Sequence, residues 1–391
     1  MKQYIAETAT PNPRSTINSY RSFGYNLSTA IADIIDNSIS AEASKIYINY
    51  TWKGKDSFIS ILDNGVGMNL DELVIAMTPG SKNPDDERSE KDLGRFGMGL
   101  KTASFSQCKR LTVATKQNFK LHKRCWDIDF INEAQEWSLL NYISDEEYLK
   151  PFDKIKNGTL IIWEKLDRIV GDSEVDNEAV KNAFYNEFNM VKNHIAMVFH
   201  KFIEQKKIKL YLNNIEVHPW NPFLLNLDPK PEKGHTEILN GKVEVTYYIL
   251  PHMSRISHVD YNMSGGPLGW YQQQGFYVYR GERLLVAGDW LGLEKKREYS
   301  KLARISINFS NATDFDWNLD IKKSTATPPI DIRKDLERIA TLACMKSAKV
   351  YNWRGQKNIE TGFSSASIQK LWDDEITKEG IKKYKINRKH E

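Results

Sequence analysis

The chain has 391 residues, 40% hydrophobic and 27% charged, and its 55 Lys and Arg against 51 Asp and Glu give a net charge of +4. This composition is typical of a globular protein and excludes disorder of the whole chain. The sequence contains no apolar run of about 18 residues and no apolar secretory stretch at its start, so we expect no membrane partner. The three scattered cysteines favour a reducing, cytoplasmic location without disulfides or a structural zinc site.

The length of the chain predicts two or three domains. Helical and strand patterns alternate at first, and we expect a first domain over 1–170, a second over 171–330 and a helical, basic segment over 331–391. From Lys346 onward the chain carries 11 Lys and Arg against six Asp and Glu. Such a tail is either a solvated end or a surface for an acidic partner.

Apolar spacing and turn residues predict the elements of the first part of the chain. They are a helix over 25–43, strands over 45–52 and 57–62, a long loop over 79–91, a helix over 100–108 and a strand over 157–163.

The same signals predict the elements of the remaining part. They are a helix over 176–205, a hairpin over 208–217 that turns at Asn213-Asn214, a surface connection over 219–231, strands over 242–250, 275–280 and 304–309, and a helix over 331–353.

Four short motifs carry the chemistry, and the first lies on the first predicted helix. Asp33 and Asn37 are four residues apart, which places both side chains on one helical face. A carboxylate beside an amide oxygen can orient a water molecule and bind Mg²⁺, which prefers oxygen ligands. Two solvated polar residues on a helix would give the same pattern.

The second motif follows the strand over 57–62 and consists of Asp63, a turn with Gly65 and Gly67, and Met68. Two glycines let the backbone approach a flat ligand closely. An Asp at the end of a strand can accept a hydrogen bond from an exocyclic amine. Alone, the motif is also compatible with an ordinary hairpin turn.

The third motif is a glycine-rich turn that opens a helix, where backbone N–H groups can bind phosphate. It comprises Gly94, Arg95, Phe96, Gly97, Met98, Gly99, Leu100 and Lys101. Leu100 separates the last glycine from the lysine, which excludes a Walker motif, and the glycine spacing excludes a Rossmann fingerprint. The fourth motif is Gly158-Thr159 at the start of a strand, where a threonine hydroxyl can complete a base pocket.

In this order and spacing, the four motifs resemble the GHKL ATPases, the superfamily that contains DNA gyrase, MutL, the 90-kDa heat-shock chaperones and histidine kinases. The resemblance implies an α+β protein with a GHKL (Bergerat) α/β sandwich, in which ATP lies between a helical layer and a mixed sheet. It also implies ATP and Mg²⁺ as cofactors.

Roles are carried over by position in the motifs. Asp33 matches the general base, although the family usually has a glutamate there, and Asp36 is the weaker alternative. Asn37 matches the Mg²⁺-binding asparagine, and Asp63 the carboxylate that binds the adenine amine. Ser40-Ala41 replaces the Asp-Ala of many relatives.

The remaining ATP contacts are also carried over from the family. Gly65, Gly67 and Met68 match the turn beneath the base, and Thr159 matches the last residue of the adenine pocket. The resemblance assigns the lid over ATP to 79–95 and its hinge to the glycines Gly94, Gly97 and Gly99.

The second half of the chain resembles the transducer domain of the gyrase and MutL branch, a ribosomal-protein-like β-α fold. In that branch a lysine reaches the γ-phosphate, and the candidates here are Lys322 and Lys323, either of which could take the role. Two surface lysines would give the same sequence.

The segment over 272–290 narrows the resemblance to MORC-type ATPases, above all the prokaryotic ones, over about residues 15–355. That likeness implies an ATPase that forms a homodimer on binding ATP and acts on double-stranded DNA, with possible protein partners in a prokaryotic defence system. The alternatives are an ATP-binding sensor, since Asp33 is one methylene shorter than Glu, and a chaperone-like scaffold that acts on a protein.

Overall fold

The computed structural model describes residues 10–81, 99–310, 317 and 326–352, together with the backbone of two short strands at 372–376 and 382–386. Seven predicted site residues lie outside the described residues. They are Gly94, Arg95, Phe96, Gly97, Met98, Lys322 and Lys323.

The first half of the chain alternates helices and strands. In chain order they are α1 (Pro13–Arg21), α2 (Leu27–Ser40), β1 (Lys45–Thr51), β2 (Phe58–Asp63), α3 (Leu70–Met77), α4 (Gly99–Phe105), β3 (Arg110–Gln117), β4 (Lys120–Asp127), α5 (Ile128–Ala134), β5 (Gly158–Glu164), α6 (Glu178–Val198), α7 (His200–Glu204), β6 (Lys209–Leu212) and β7 (Ile215–Glu216).

The second half has more strands than helices. The elements are β8 (Glu232–Leu239), β9 (Val243–Ile249), α8 (His258–Ser264), α9 (Gly269–Gln272), β10 (Gly275–Arg280), β11 (Arg283–Asp289), β12 (Ala303–Phe309), α10 (Ile330–Asn352), β13 (Trp372–Ile376) and β14 (Lys382–Ile386).

A seven-stranded sheet, in the order β4-β3-β5-β2-β1-β6-β7, forms the base of the first domain. Its neighbouring strands are antiparallel except for β1 and β6, which are parallel. Strands β6 and β7 join this sheet although the sequence predicts a first domain that ends at residue 170. The pairing of Lys45 with Lys209 is long-range, so local patterns give no sign of it.

Helices α2 and α6 form the central part of the layer that covers this sheet. Asn26 caps α2 by accepting a hydrogen bond from the Thr29 N–H, and the predicted apolar stripe of this helix is buried. Phe184 and Phe188 of α6 contribute to the same core. The predicted helix over 176–205 is interrupted at Phe199, where α6 ends and α7 begins.

A second, five-stranded sheet has the order β11-β10-β12-β9-β8. Helix α10 covers one face through an apolar stripe that includes Ile332, Leu336 and Ile339. Tyr277 and Tyr279 of the opposite face pack with Phe223 and with Met197 of α6. The second sheet therefore contacts the helical layer of the first domain.

The predicted fold class is confirmed: an α/β sandwich is followed by a second β-α domain. Six of the described strands, however, have no counterpart in the sequence prediction: β3, β4, β8, β11, β13 and β14. The last two lie in the segment 331–391, which the sequence predicts to be helical, and they pair with each other as an antiparallel hairpin. Strand β4 is an edge strand whose first residues are charged and solvent-accessible, and its hairpin turns at Asn118-Phe119, both with positive φ, instead of at a glycine.

Among the described residues, no helix combines the length and the apolar character that crossing a bilayer requires.

Candidate nucleotide-binding site

The carboxylate of Asp33 is buried in the helical layer, with 4% of the residue exposed. Its Oδ2 accepts a hydrogen bond of 2.8 Å from the hydroxyl of Tyr25. A Cβ built on Gly99 would lie 3.6 Å from the same oxygen, so the start of α4 lies beside this carboxylate. Tyr25, which the sequence analysis does not single out, thus fixes the orientation of the predicted base.

Asn37 lies one helical turn after Asp33 and is exposed, whereas its neighbours Asp36 and Ser38 are buried. An exposed amide on an otherwise buried stretch of helix is available to a ligand. The spacing predicts both side chains on one helical face, and on α2 they form a buried carboxylate and an exposed amide one turn apart.

Asp63 lies at the end of β2 and is 5% exposed. Its Oδ1 accepts hydrogen bonds from the backbone N–H groups of Gly65 (2.9 Å) and Thr159 (3.2 Å), and its Oδ2 accepts one from the Ser38 hydroxyl (2.9 Å). Burial raises the pKa of Asp63 to about 6, although these three hydrogen bonds oppose the rise. The carboxylate is therefore ionised at neutral pH but close to its titration.

The turn after Asp63 requires glycine at two positions. A Cβ on Gly65 would lie 2.6 Å from the carbonyl oxygen of Ala41. Gly67 has a φ of +70°, and its Cβ would lie 2.1 Å from the carbonyl oxygen of Lys116. The backbone of this turn is thus held directly against α2 on one side and β3 on the other.

Thr115 of β3 connects this turn to Thr159. Its hydroxyl accepts a hydrogen bond from the Met68 N–H (2.9 Å), donates one to the Gly158 carbonyl (3.1 Å) and lies 3.3 Å from the Thr159 hydroxyl. The sequence analysis missed Thr115 because no motif marks it. Ser38, also missed, directly follows Asn37 and could have been found from that position.

Three residues of the third motif, Gly99, Leu100 and Lys101, lie on α4, and the side chains of Leu100 and Lys101 are not exposed. Lys101 is 1% exposed, and its ammonium donates a hydrogen bond of 2.9 Å to the carbonyl oxygen of Ala76, in the last turn of α3. Leu100 packs against the core. The predicted phosphate contact of this segment stays a prediction.

The comparison with family models places the site in a known class. Residues 25–159 match the family described as histidine kinase-, DNA gyrase B-, and HSP90-like ATPase. The match begins at Tyr25, which binds Asp33, and ends at Thr159, which binds Asp63. The matched segment therefore contains both buried carboxylates and all their partners named above.

Curated relatives match shorter segments. The chain is 30% identical over 90 residues to the ATPase morc-1 of Caenorhabditis elegans, covering 23% of this chain and 10% of the relative. It is 31% identical over 96 residues to the DNA mismatch repair protein MutL of Thermotoga maritima (24% and 18%). It is 28% identical over 159 residues to the chaperone protein HtpG of Aliarcobacter butzleri (38% and 22%). The chain thus spans at most about a fifth of the length of these relatives.

Among solved structures, the ATPase and transducer domains of DNA topoisomerase II from Balamuthia mandrillaris align with 85% of this chain and 86% of theirs. The TM-score is 0.46 and the sequence identity 13%.

Residues 25–159 thus match the GHKL ATPase domain, and the buried carboxylate network lies within the matched segment. Within that superfamily, the chain is similar to the MORC-type ATPases.

Proposed function

We propose that the chain is a Mg²⁺-dependent ATPase that forms a homodimer when ATP binds and that acts on double-stranded DNA. The observation that carries the hydrolytic part is the Asp33 carboxylate, buried and oriented by the Tyr25 hydroxyl next to the start of α4. A buried, fixed carboxylate suits a group that must accept a proton at one defined position.

In the proposed reaction, water attacks the γ-phosphate of ATP, and ADP and inorganic phosphate are released. Asp33 accepts the proton of the attacking water, and Tyr25 holds the carboxylate in place. Lys322 and Lys323 remain the candidates for the cation that stabilises the charge developing on the transferred phosphate.

Asn37 is the proposed protein ligand of Mg²⁺. Its exposed amide fits an ion that takes few protein oxygens and completes its shell with phosphate oxygens and water. When bound, Mg²⁺ neutralises phosphate charge and so favours the attack on phosphorus.

Asp63 is the proposed recognition group for adenine. Its ionised carboxylate accepts a hydrogen bond from the exocyclic amine, while Gly65, Gly67 and Met68 form the turn below the base. Thr159, held by Asp63 and lying beside Thr115, completes the pocket.

The proposal for DNA has separate support. One relative is a DNA mismatch repair protein by name, and the segment from Lys346 has an excess of positive charge. A role in prokaryotic defence, with partners from such a system, rests on the resemblance to prokaryotic MORC-type proteins alone.

The first experiment is steady-state ATP hydrolysis by the purified chain at low salt, with and without plasmid DNA. We expect turnover that DNA stimulates, and a DNA affinity that falls steeply as salt increases, because phosphate contacts release counterions. Turnover that DNA leaves unchanged would contradict the DNA part and favour a protein partner, as for the chaperone HtpG. ATP binding without turnover would favour the sensor.

Asp33→Asn tests the proposed base. The amide keeps the size of the side chain and can still accept the Tyr25 hydrogen bond, but it cannot take a proton. We expect turnover to fall at least about 100-fold, with ATP affinity nearly unchanged in equilibrium titration. Asp56→Asn, at an exposed position, is the matched control. Wild-type turnover in Asp33→Asn would overturn the assignment of the base.

A further inference from the structure

A buried ion pair joins the second sheet to the helix that carries the nucleotide motif. Nε of Arg283, the first residue of β11, lies 3.2 and 3.3 Å from the two carboxylate oxygens of Asp36 on α2. Asp36 is 1% exposed and Arg283 5%, although 247 positions separate them along the chain. The pair is therefore a long-range contact between the two domains.

The position of Asp36 on α2 gives this contact a route to the chemistry. Asp36 directly precedes Asn37 and lies three residues after Asp33, so all three occupy a single turn of the helix. A displacement of β11 that moves Arg283 acts on the backbone that fixes both the proposed base and the proposed Mg²⁺ ligand.

The surroundings of Arg283 hold its guanidinium in place. It lies 5.4 Å from the centre of the Phe199 ring and donates a hydrogen bond to the Leu284 carbonyl. Burial and the nearby Arg283 cation lower the pKa of His194, on α6, to about 4, so this imidazole is neutral at pH 7. The pairing of Asp36 with Arg283 therefore meets no competing positive charge from His194.

The interface is open next to the ion pair. A cavity of about 520 Å³ lies between α2, α6, β11 and the residues before α10, and its lining includes Thr29, His194, Arg283 and Thr327. Among the described residues, α2 and β11 are therefore not closely packed beside the ion pair. The ion pair of Asp36 and Arg283 is a directional contact that joins α2 to β11 at this place.

We propose that Arg283 is a positioning residue for ATP hydrolysis: through Asp36 it couples the position of the second domain to the segment of α2 that carries Asp33 and Asn37. The adenine end of the site, around Asp63, depends less on this coupling, because two of the three donors to its carboxylate, the N–H groups of Gly65 and Thr159, lie outside α2. The inference rests on the proposed ATPase function.

The test compares Arg283→Gln, Arg283→Lys and the double variant Asp36→Asn/Arg283→Gln with the wild-type chain. Arg283→Gln should lower kcat at least tenfold and leave adenosine affinity within twofold, because Asp33 and Asn37 lie beside Asp36 whereas two of the three donors to Asp63 lie outside α2. Arg283→Lys should recover part of kcat because it keeps the charge. The double variant should lose no more than Arg283→Gln, since both changes interrupt one coupling.

The matched control is Arg338→Gln, which removes an arginine that pairs with Glu237 inside the second domain. It should keep wild-type kcat. The inference is overturned if a folded Arg283→Gln chain has wild-type kcat. It is also overturned if adenosine affinity falls in parallel with kcat, since that indicates general destabilisation.

A second measurement separates this inference from the proposed function. Hydrogen exchange of the α2 amides should be faster in Arg283→Gln than in the wild-type or Arg338→Gln chains, while exchange in β2 stays unchanged. If the wild-type chain shows no turnover, the proposed function fails, but hydrogen exchange still tests whether Arg283 is coupled to α2. Exchange rates of the α2 amides that are the same in Arg283→Gln and wild-type chains would then overturn the proposed coupling.

Discussion

Two buried carboxylates differ in how they are stabilised at the same helix, α2. Asp36 lies on this helix, and Asp63 contacts it through Ser38. Asp63 is held by neutral donors, two backbone N–H groups and the Ser38 hydroxyl, and its pKa is raised to about 6. Asp36 is held by the guanidinium of Arg283. A carboxylate bound by neutral groups can still respond to a ligand, whereas one bound by a cation is suited to a fixed structural contact.

The largest effect is expected when the negative charge of Asp63, the proposed adenine-binding carboxylate, is removed. In Asp63→Asn, an amide that carries N–H donors faces the adenine amine, and the variant should lose at least about tenfold in nucleotide affinity, the effect of about 1.4 kcal/mol. Asp56→Asn is again the matched control. Calorimetric titration with ATP measures the change, and wild-type affinity would mean that the adenine pocket lies elsewhere.

The pH dependence sharpens the comparison further. Because the pKa of Asp63 is raised from 3.8 to about 6, the carboxyl is protonated below about pH 6 and then accepts the adenine amine poorly. Adenosine affinity should fall about tenfold between pH 7.5 and pH 5. Adenosine has no phosphate to titrate, and binding can be followed by ligand-observed NMR.

The raised pKa of Asp63 affects the stability of the free protein in the opposite direction: stability falls, whereas adenosine affinity rises, as the pH increases. A raised pKa means that the folded state binds this proton more tightly than the unfolded state. The contribution of Asp63 to stability is therefore fully present below pH 3.8 and is lost as the pH rises through about 6. Adenosine affinity that stays constant from pH 7.5 to pH 5 would contradict the binding prediction. A free energy of unfolding to which Asp63 contributes no loss between about pH 4 and pH 6.5, measured as the difference between wild-type and Asp63→Asn chains, would contradict the stability prediction.

The smallest effect on adenosine affinity is expected for a substitution at Thr115. Thr115→Val keeps the shape of the side chain but removes the acceptor of the Met68 N–H, so the free energy of unfolding should fall by about 1–3 kcal/mol. Adenosine affinity should fall less than in Asp63→Asn. Urea unfolding measures the change in the free energy of unfolding, and Thr51→Val on β1 is the control. If Thr115→Val and Thr51→Val lose the same stability, the hydrogen bond from the Met68 N–H to Thr115 has no special role in the site.

How much of the site could be predicted follows from how its contacts run along the chain. Asp33 and Asn37, or Asp63 and the glycines after it, form short motifs whose spacing is visible in the sequence. Thr115 and Arg283 act through tertiary contacts, with Met68 and Asp36 respectively, and no local pattern marks them.

The elements of the fold divide in the same way. The sequence predicts strands with regular apolar alternation, such as β1 and β2. It does not predict the charged edge strand β4, because the stability of that strand comes from pairing with β3 more than from its own side chains. The assignment of β6 to the first sheet also depends on a distant partner, β1.

The buried pair of Asp36 and Arg283 also limits how freely the two halves of this chain can be exchanged. A chimera that took its second half from another protein would confront Asp36 with whatever side chain stands at the position of Arg283. Unless that side chain were a cation of similar reach, the junction would hold a buried charge without this partner. The two halves therefore have to change together, and substitutions at these two positions are expected to be mutually compensating.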